Sequence, residues 1–278
     1  MNMIKKLLVG LLILLLVGCH GIVPPPDPDP DPEPTPVEYR GFFVGITDYE
    51  SYGDAKDLYS PAINTEKLEE LFNNSAYEFE MITRLTDHDA TKENILNGIA
   101  ETFAGADEND ISYFYWMGHG GVKLNEPVIC PTDYQVTDFF SYITVHELEF
   151  TLSQIPGVKV VLLETCHSGN FIDRNGYGFD QQVIDIFAQA PLDLLNKYPY
   201  QVLTASKGDE YAWDCECGSY FCKHFIFGCD GLTADRVYKG NNDSVVSLEE
   251  IHAYLKAMIE RQTAQIYPEG SQFPIYEE

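Results

Sequence analysis

Apolar and polar positions alternate along the chain in a way that predicts strands and helices in turn. Five short apolar runs, rich in aromatic and β-branched residues and bounded by polar or turn-forming positions, predict buried strands. These runs are 39–47, 79–85, 110–117, 158–163 and 200–205. Between them, apolar residues recur every three or four positions, which is the spacing of a helix with one buried face. Strands that alternate with helices predict an α/β fold with a mainly parallel sheet and helices on both of its faces.

Helix-start signals mark where several of these helices should begin. Ser60 precedes Pro61, an order typical of an N-cap followed by the first helical position. Thr144 with Glu147, and Ser247 with Glu250, have the spacing of a capping box. We therefore expect helices from Pro61, over 91–103, from 144 to about 155, over 221–227, and from 247 to about 262.

The first 19 residues predict a secretory signal. Residues 1–6 carry two lysines, and residues 7–17 form an unbroken apolar run that is too short to cross a bilayer as a helix. The run ends in Leu16-Val17-Gly18-Cys19, which looks like a bacterial lipobox, so Cys19 is the expected lipidation site. An ordinary signal peptide that happens to contain a cysteine is the alternative.

Residues 20–37 predict a linker. Proline occupies nearly every second position of 24–36, so this stretch cannot enter a helix or a sheet. It is expected to be a semi-rigid acidic spacer, with a disordered tail as the alternative. Together with the leader, it predicts an exported lipoprotein anchored to the cell envelope, at its periplasmic face or the cell surface. The folded domain is then 38–278.

Charge narrows the classes of partner. The chain has 17 lysines and arginines against 44 aspartates and glutamates, a formal net charge of −27. Such an acidic surface argues against nucleic acid and anionic lipid as partners and favours basic substrates. Simple solubility explains the same charge.

Six cysteines remain when Cys19 is set aside, and four of them lie close together. The cluster consists of Cys215, Cys217, Cys222 and Cys229. An exported protein can keep disulfides, so the cluster is either a disulfide staple or a zinc site. Its spacing fits no common zinc pattern, which favours partial disulfide bonding, and no metal site or cofactor is predicted.

Two apolar strands run into short segments in which a reactive histidine or cysteine lies close to glycine. One runs into Gly118-His119-Gly120-Gly121 and the other into Cys166-His167-Ser168-Gly169, with 47 positions from His119 to Cys166. Because the carboxyl ends of parallel strands open into one crevice, His119 and Cys166 are expected to meet there. An imidazole can activate a thiol for attack on a carbonyl. The backbone N–H groups of Gly120 and Cys166 are the expected donors to the oxyanion. A lone cysteine or histidine is more often structural, but their joint placement favours catalysis.

The segments SYFYWMGHGG and VVLLETCHSG resemble the large-subunit region of the caspase and metacaspase family. The histidine–cysteine spacing also matches the family's separation of roughly 50 residues. Further similarity runs through RGFFVGITDY, the Ala90-Thr91 segment and the later LTAS and GSYF segments, so it covers about 40–265. The resemblance implies a three-layer α/β/α sandwich, Cys166 as the nucleophile and His119 as the general acid and base. Two positions depart from the family pattern, Ile63-Asn64 and Met117, and both touch pocket walls in relatives.

Acidic residues near the nucleophile indicate which substrates would bind. Glu164 lies two positions before Cys166, and Asp214 stands where caspases that select aspartate carry an arginine. An acidic substrate side chain would meet like charges there, whereas arginine or lysine would be neutralised. Glu164 and Asp214 are therefore the predicted substrate-binding residues. A solvated loop acid is the alternative for Asp214.

The predicted function is a cysteine-type endopeptidase that cuts peptides or proteins after arginine or lysine. Two alternatives are an inactive caspase-like binding module on a membrane anchor and a thiol transpeptidase on the same fold. No cofactor is expected, with activation by calcium as the alternative.

Overall fold

The computed structural model describes residues 36–49, 57–172 and 200–278. The predicted signal peptide, the lipidation site Cys19 and the linker up to residue 35 lie outside the described residues. Pro36–Glu278 form one compact unit. No helix in the described part of the chain is long and apolar enough to cross a membrane.

The described elements alternate much as the hydrophobic pattern predicts. The strands are β1 Tyr39–Gly45, β2 Phe79–Thr86, β3 Ile111–Met117, β4 Gly120–Lys123, β5 Glu126–Ile129, β6 Ile143–Thr144, β7 Val158–Glu164, β8 Tyr200–Thr204, β9 Val245–Ser247, β10 Gln265–Tyr267 and β11 Pro274–Glu277. The helices are α1 Pro61–Asn73, α2 Lys92–Thr102, α3 Val145–Ser153, α4 Tyr220–Cys229, α5 Thr233–Arg236 and α6 Leu248–Met258.

A mainly parallel sheet organises the described residues. Its strand order is β10-β8-β7-β3-β1-β2, and only β10 runs antiparallel to its neighbour. In the register of the three central strands, Met117 of β3 lies opposite both Gly45 of β1 and Glu164 of β7. The carboxyl ends of β1, β3 and β7 are therefore level, and the segments that follow them start from the same edge.

Helices cover both faces of this sheet. Successive residues of β3 point to opposite faces, so Tyr113 and Tyr115 pack with α1, α4 and α6, while Phe114 and Trp116 pack with α2 and α3. All seven residues of β3 are buried, as are all seven of β7. A sheet buried on both faces explains why apolar residues dominate both strands and do not alternate with polar ones. The predicted three-layer α/β/α sandwich with a mainly parallel sheet is confirmed.

The capping boxes form as their spacing predicts. Thr144 and Ser247 each accept a hydrogen bond from the backbone of the glutamate three positions on, and that glutamate accepts one back from the cap's N–H. The last helix is shorter than expected, because α6 ends at Met258 and Ile259 is extended. The Gln262 side chain instead bonds to the Trp213 N–H and the Ala205 carbonyl. These tertiary contacts of Gln262 thus take the place of the last helical turn that the sequence predicts.

Two small antiparallel sheets were not predicted. One contains β4, β5 and β6, and the other pairs β9 with β11. Their strands have two to four residues, too few for an alternating pattern to identify them. The first of these sheets begins one residue after His119.

Candidate active site

His119 lies between the end of β3 and the start of β4, and its backbone is held on both sides. Its N–H donates to the Tyr49 hydroxyl at 2.7 Å, and its carbonyl accepts from the Cys130 N–H at 2.9 Å. Its ring packs against the Tyr49 ring with 4.6 Å between centroids. A side chain at Gly118 would come within 2.6 Å of the Tyr49 hydroxyl. The glycine before the histidine is therefore needed for this close packing.

Gly120 presents a backbone donor away from its neighbouring strand. It lies opposite Ile129 in the antiparallel β4–β5 pair, and the Cys130 N–H to His119 carbonyl bond flanks that pair. Gly120 and Ile129 thus form a non-hydrogen-bonded pair, in which the N–H of Gly120 points away from β5. A Cβ at this position would lie 2.4 Å from Thr165 Oγ1, so only glycine fits without displacing a neighbour.

Cys166 follows β7 and is half-buried. Its thiol donates to the Ala212 carbonyl at 3.9 Å. Burial raises the pKa of this thiol above its ordinary value. The next residue, His167, has a φ of 61°, and its N–H donates to the Glu210 carbonyl at 2.8 Å. The left-handed conformation turns the chain sharply after the cysteine.

Two buried serines hold this turn to the chain that follows β8. The Ser206 N–H donates to Ser168 Oγ at 3.1 Å, and the Ser168 N–H lies 3.3 Å from Ser206 Oγ. The Ser206 hydroxyl also donates to the Thr165 carbonyl at 3.2 Å. His167 Nδ1 lies 2.9 Å from the Gly208 carbonyl, on the same segment. The cysteine turn is therefore fixed by residues about 40 positions later in the chain.

One pocket brings the sequence-predicted residues together. His119 and Cys166 both line it, and so do Glu164 and Asp214. Its other lining residues are Leu58, Met117, Gly118, Thr165, Ala212 and Trp213. The pocket opens at the level carboxyl ends of β3 and β7.

Glu164 is an ionisable group in an almost dry place, since only 2% of the residue is exposed. Its Oε2 accepts from the Tyr115 hydroxyl at 2.7 Å, whereas Oε1 has no well-formed hydrogen bond. Burial raises the pKa of this carboxyl to about 7; the charge of Asp214 acts in the same direction, and the Ser219 hydroxyl and Cys222 amide oppose it. A buried carboxyl with spare acceptor capacity would gain from a cationic neighbour.

Asp214 is firmly bonded within the protein, which differs from the solvated loop acid considered as its alternative. Its Oδ2 accepts from the N–H groups of Tyr59 and Ser60 at 2.7 and 3.0 Å, and the Ser60 hydroxyl donates to Oδ1. The Cys215 N–H adds a further bond at 2.9 Å. Asp214 therefore ties one pocket wall to the start of α1 while remaining part of the lining.

The two positions that depart from the family pattern touch each other. Asn64 Nδ2 lies 3.0 Å from Met117 Sδ and 3.0 Å from Ser219 Oγ. The methionine at the end of β3 is thus packed against the first helix. Because Met117 lines the pocket, this contact ties one pocket wall to α1.

The cysteine cluster divides into two kinds of residue. Cys215 and Cys217 form a disulfide, whereas Cys222 and Cys229 are buried thiols on α4. Within the described ranges, no group of three or more His, Cys, Asp and Glu side chains could hold a metal ion. The Cys215–Cys217 bond agrees with the partial disulfide bonding that the spacing favours.

Several supporting residues carry no sequence signal of their own. Tyr49, Tyr115 and Ser206 are an aromatic or a hydroxyl residue in or just after a strand, which many strands contain. Only their contacts with His119, Glu164 and the cysteine turn identify them as residues that support the site. The one hint is that Tyr49 and Ser206 lie beyond the carboxyl ends of β1 and β8, at the edge where parallel sheets bind ligands.

Comparisons with known proteins find similarity to metacaspases. The chain is similar to metacaspase-1 of Lodderomyces elongisporus, with 27% identity over 142 residues that cover 44% of this chain and 31% of that protein. It is also similar to metacaspase-1A of Neurospora crassa, with 30% identity over 119 residues that cover 37% of this chain and 26% of that protein. The chain thus spans less than a third of the length of these curated relatives.

A solved structure shares the fold, and a family model matches nearly the whole domain. The crystal structure of protein GSU0716 from Geobacter sulfurreducens matches 86% of this chain and 99% of its own, with a TM-score of 0.60 and 17% identity. The model of the caspase domain, peptidase family C14, matches residues 41–278. With this match over most of its length, the chain belongs to the caspase-domain family of peptidases.

Proposed function

We propose that this protein is a cysteine endopeptidase in which Cys166 is the nucleophile and His119 the general base and acid. The observation that carries the proposal is their common pocket, at the level carboxyl ends of two adjacent parallel strands. Membership of a peptidase family supports the reaction class. The residue roles rest on the geometry and chemistry of this chain.

The thiol would be activated when substrate binds. Because burial raises the pKa of Cys166, the resting group is a neutral thiol that donates to the Ala212 carbonyl. His119 takes the thiol proton as sulfur attacks the carbonyl carbon of the scissile bond. The carbonyl becomes a tetrahedral oxyanion covalently bonded to Sγ.

Backbone donors and the imidazolium complete the reaction. The N–H groups of Gly120 and Cys166 donate to the oxyanion. As the C–N bond breaks, the leaving amine takes the proton from His119, and a thioester remains on Cys166. Water then attacks the thioester while His119 removes its proton. Collapse returns that proton to sulfur and releases the carboxylic acid.

The dyad is tested by removing each member. Cys166→Ala and His119→Ala should each abolish peptide hydrolysis, because the two groups act as a unit. Cys229→Ala and His88→Ala are matched controls, since Cys229 is a buried thiol on α4 and His88 an exposed histidine. Hydrolysis would be followed with fluorogenic peptides and folding by circular dichroism. Substantial activity in folded Cys166→Ala protein would contradict the assignment, and amide products formed with an added acceptor amine would indicate transpeptidation instead.

The same pocket supports a preference for arginine or lysine before the scissile bond. Glu164 is buried among the lining residues with one carboxylate oxygen lacking a well-formed bond, and Asp214 adds a second negative charge. A cationic side chain would hydrogen-bond to Glu164 and favour its ionised form. An aspartate side chain would be repelled by both groups.

A positional peptide library tests this preference. Glu164→Gln should lower kcat/KM for arginine and lysine substrates by roughly 10- to 100-fold, the worth of a hydrogen bond to a charged group. Glu149→Gln is the control, because Glu149 is a half-buried carboxyl outside the pocket that bonds to Tyr200. The pKa of Glu164 is about 7, so the wild-type preference should strengthen between pH 6 and pH 8 as the carboxyl ionises. Cleavage after aspartate would show that the electrostatic interpretation is wrong.

A further inference from the structure

Tyr49 is a fully buried tyrosine that touches both the backbone and the ring of His119. It lies four residues beyond the end of β1, and none of its surface is exposed. Its ring centroid is 4.6 Å from that of His119, with 38° between the ring planes. A ring packed this closely restricts rotation of the imidazole about its bond to Cβ.

The Tyr49 hydroxyl bridges the two chain segments that meet behind His119. It accepts from the His119 N–H at 2.7 Å and donates to the Cys130 carbonyl at 3.2 Å. The Cys130 N–H in turn donates to the His119 carbonyl at 2.9 Å. These three bonds close a loop, so the peptide units on both sides of His119 cannot rotate without breaking one of them.

Other contacts keep Tyr49 itself in place. Its N–H donates to the Asp57 carboxylate at 3.0 Å, and its ring packs edge-on against Tyr134 with 5.9 Å between centroids. Burial raises the pKa of the Tyr49 hydroxyl well above its ordinary value of 10. The hydroxyl therefore keeps its proton and can donate and accept at any pH at which the protein works.

We propose that Tyr49 is a positioning residue that holds His119 in the orientation required for proton transfer with Cys166. The inference rests on the proposed function and extends it to a residue outside the pocket lining. Loss of the hydroxyl would leave the His119 N–H and the Cys130 carbonyl without this partner behind the site. The imidazole would then sample orientations from which it cannot reach the thiol or the leaving amine, while the substrate pocket stays intact.

Tyr49→Phe is the direct test, because it removes the hydroxyl and keeps the ring. We expect kcat for a peptide substrate to fall roughly 10- to 100-fold, since a misplacement of about 1 Å at a catalytic group can cost that much. KM should stay within about twofold, because Tyr49 does not line the pocket. A purely structural role would lower the amount of folded enzyme without this separation of kcat from KM.

Tyr113→Phe is the matched control. Tyr113 is equally buried, and its hydroxyl donates to the Ile275 carbonyl at 3.0 Å in the other core cluster. Both variants lose a buried hydroxyl bonded to a carbonyl, so their losses of stability should be similar. Only Tyr49→Phe should lower kcat per active site, counted by titration with a thiol-directed irreversible inhibitor. Equal kcat values in the two variants, or a change in KM alone, would overturn the proposal.

Gly118→Ala serves if Tyr49→Phe does not fold. The added methyl would lie 2.6 Å from the Tyr49 hydroxyl and must displace it or its neighbours. It should reproduce the fall in kcat, and an unchanged kcat would again overturn the proposal. Failure of the proposed function has a different signature, since wild type would then hydrolyse no peptide or Cys166→Ala would remain active.

Discussion

Strands β3 and β7 lie side by side, and the segments that follow them carry the two halves of the site. The histidine segment is held by main-chain bonds of an antiparallel hairpin and by one buried tyrosine, with donor–acceptor distances of 2.7 and 2.9 Å. The cysteine segment is held to the chain after β8 by bonds of the Ser168 and Ser206 hydroxyls at 3.1 to 3.3 Å and by a backbone bond from His167 at 2.8 Å. The histidine half is therefore held by backbone bonds and one buried aromatic side chain, whereas the cysteine half depends in part on two small hydroxyl side chains.

This difference teaches which half of the site tolerates change. The hairpin leaves no room at Gly120, where a Cβ would collide with Thr165. The histidine side therefore does not accommodate a larger side chain at this position. The cysteine side depends in part on longer bonds between serine hydroxyls and the backbone, and it contains a buried carboxyl, Glu164, that is costly to ionise. Substitutions on the histidine side should mainly reduce rate, and those on the cysteine side should also change stability.

The largest effect is expected at Gly120. Gly120→Ala would place Cβ 2.4 Å from Thr165 Oγ1, so the backbone donor must move. Loss of one oxyanion donor typically lowers kcat by about 10²- to 10³-fold, and we expect a fall of that order in steady-state kinetics. Gly121→Ala is the control, because a Cβ there meets nothing within 4 Å. Equal activity in the two variants would remove Gly120 from the mechanism.

Next in size is a pH-dependent change in stability at Glu164. The folded pKa of about 7 lies above the ordinary 4.5, so unfolding releases a proton between these values, and wild-type stability falls as pH rises through this window. Glu164→Gln cannot titrate. Its free energy of unfolding, relative to wild type, should therefore rise by about 2–3 kcal/mol between pH 5 and pH 8. Urea unfolding at both pH values measures this, and parallel pH dependences would show that the carboxyl is not raised.

The smallest effect is expected at Ser206. Ser206→Ala removes the hydroxyl that donates to the Thr165 carbonyl and faces the Ser168 N–H, so both lose a partner in the interior. We expect a loss of about 1–2 kcal/mol of stability and a several-fold lower kcat. Ser153→Ala removes an exposed hydroxyl bond and should change neither. An undiminished kcat in Ser206→Ala would mean that the distant segment does not position the cysteine.

Much of the fold could be predicted because its signals are local. The runs at β3 and β7 are mostly apolar and do not alternate with polar residues, as expected for a sheet covered on both faces. The capping boxes at Thr144 and Ser247 encode helix starts within four residues. The strands of the two small sheets were not predicted because an alternating apolar and polar pattern cannot be recognised over two to four residues. The helix α6 ends earlier than predicted because the Gln262 side chain bonds to the Ala205 carbonyl, just after β8, and to the Trp213 N–H in the pocket wall.

For the candidate site, reactive residues in glycine-containing segments at two strand ends were enough to single out His119, Gly120 and Cys166. Glu164 was singled out through the family resemblance. Asp214 was visible as an acid but not as a tie to the start of α1, since its partners Tyr59 and Ser60 lie some 155 positions earlier. A tie over that distance leaves no local pattern.

The sequence by itself determined the alternation of strands and helices, the two reactive strand ends and the acidic character of the pocket. Each depends on residues that are neighbours along the chain or recur with the period of one element. Tertiary structure alone decided that Tyr49 bridges His119 and Cys130, that Ser206 after β8 holds the cysteine turn, and that the carboxyl of Glu164 is nearly dry. These properties depend on distances between segments that only the folded sheet brings together, and on water that only complete packing excludes.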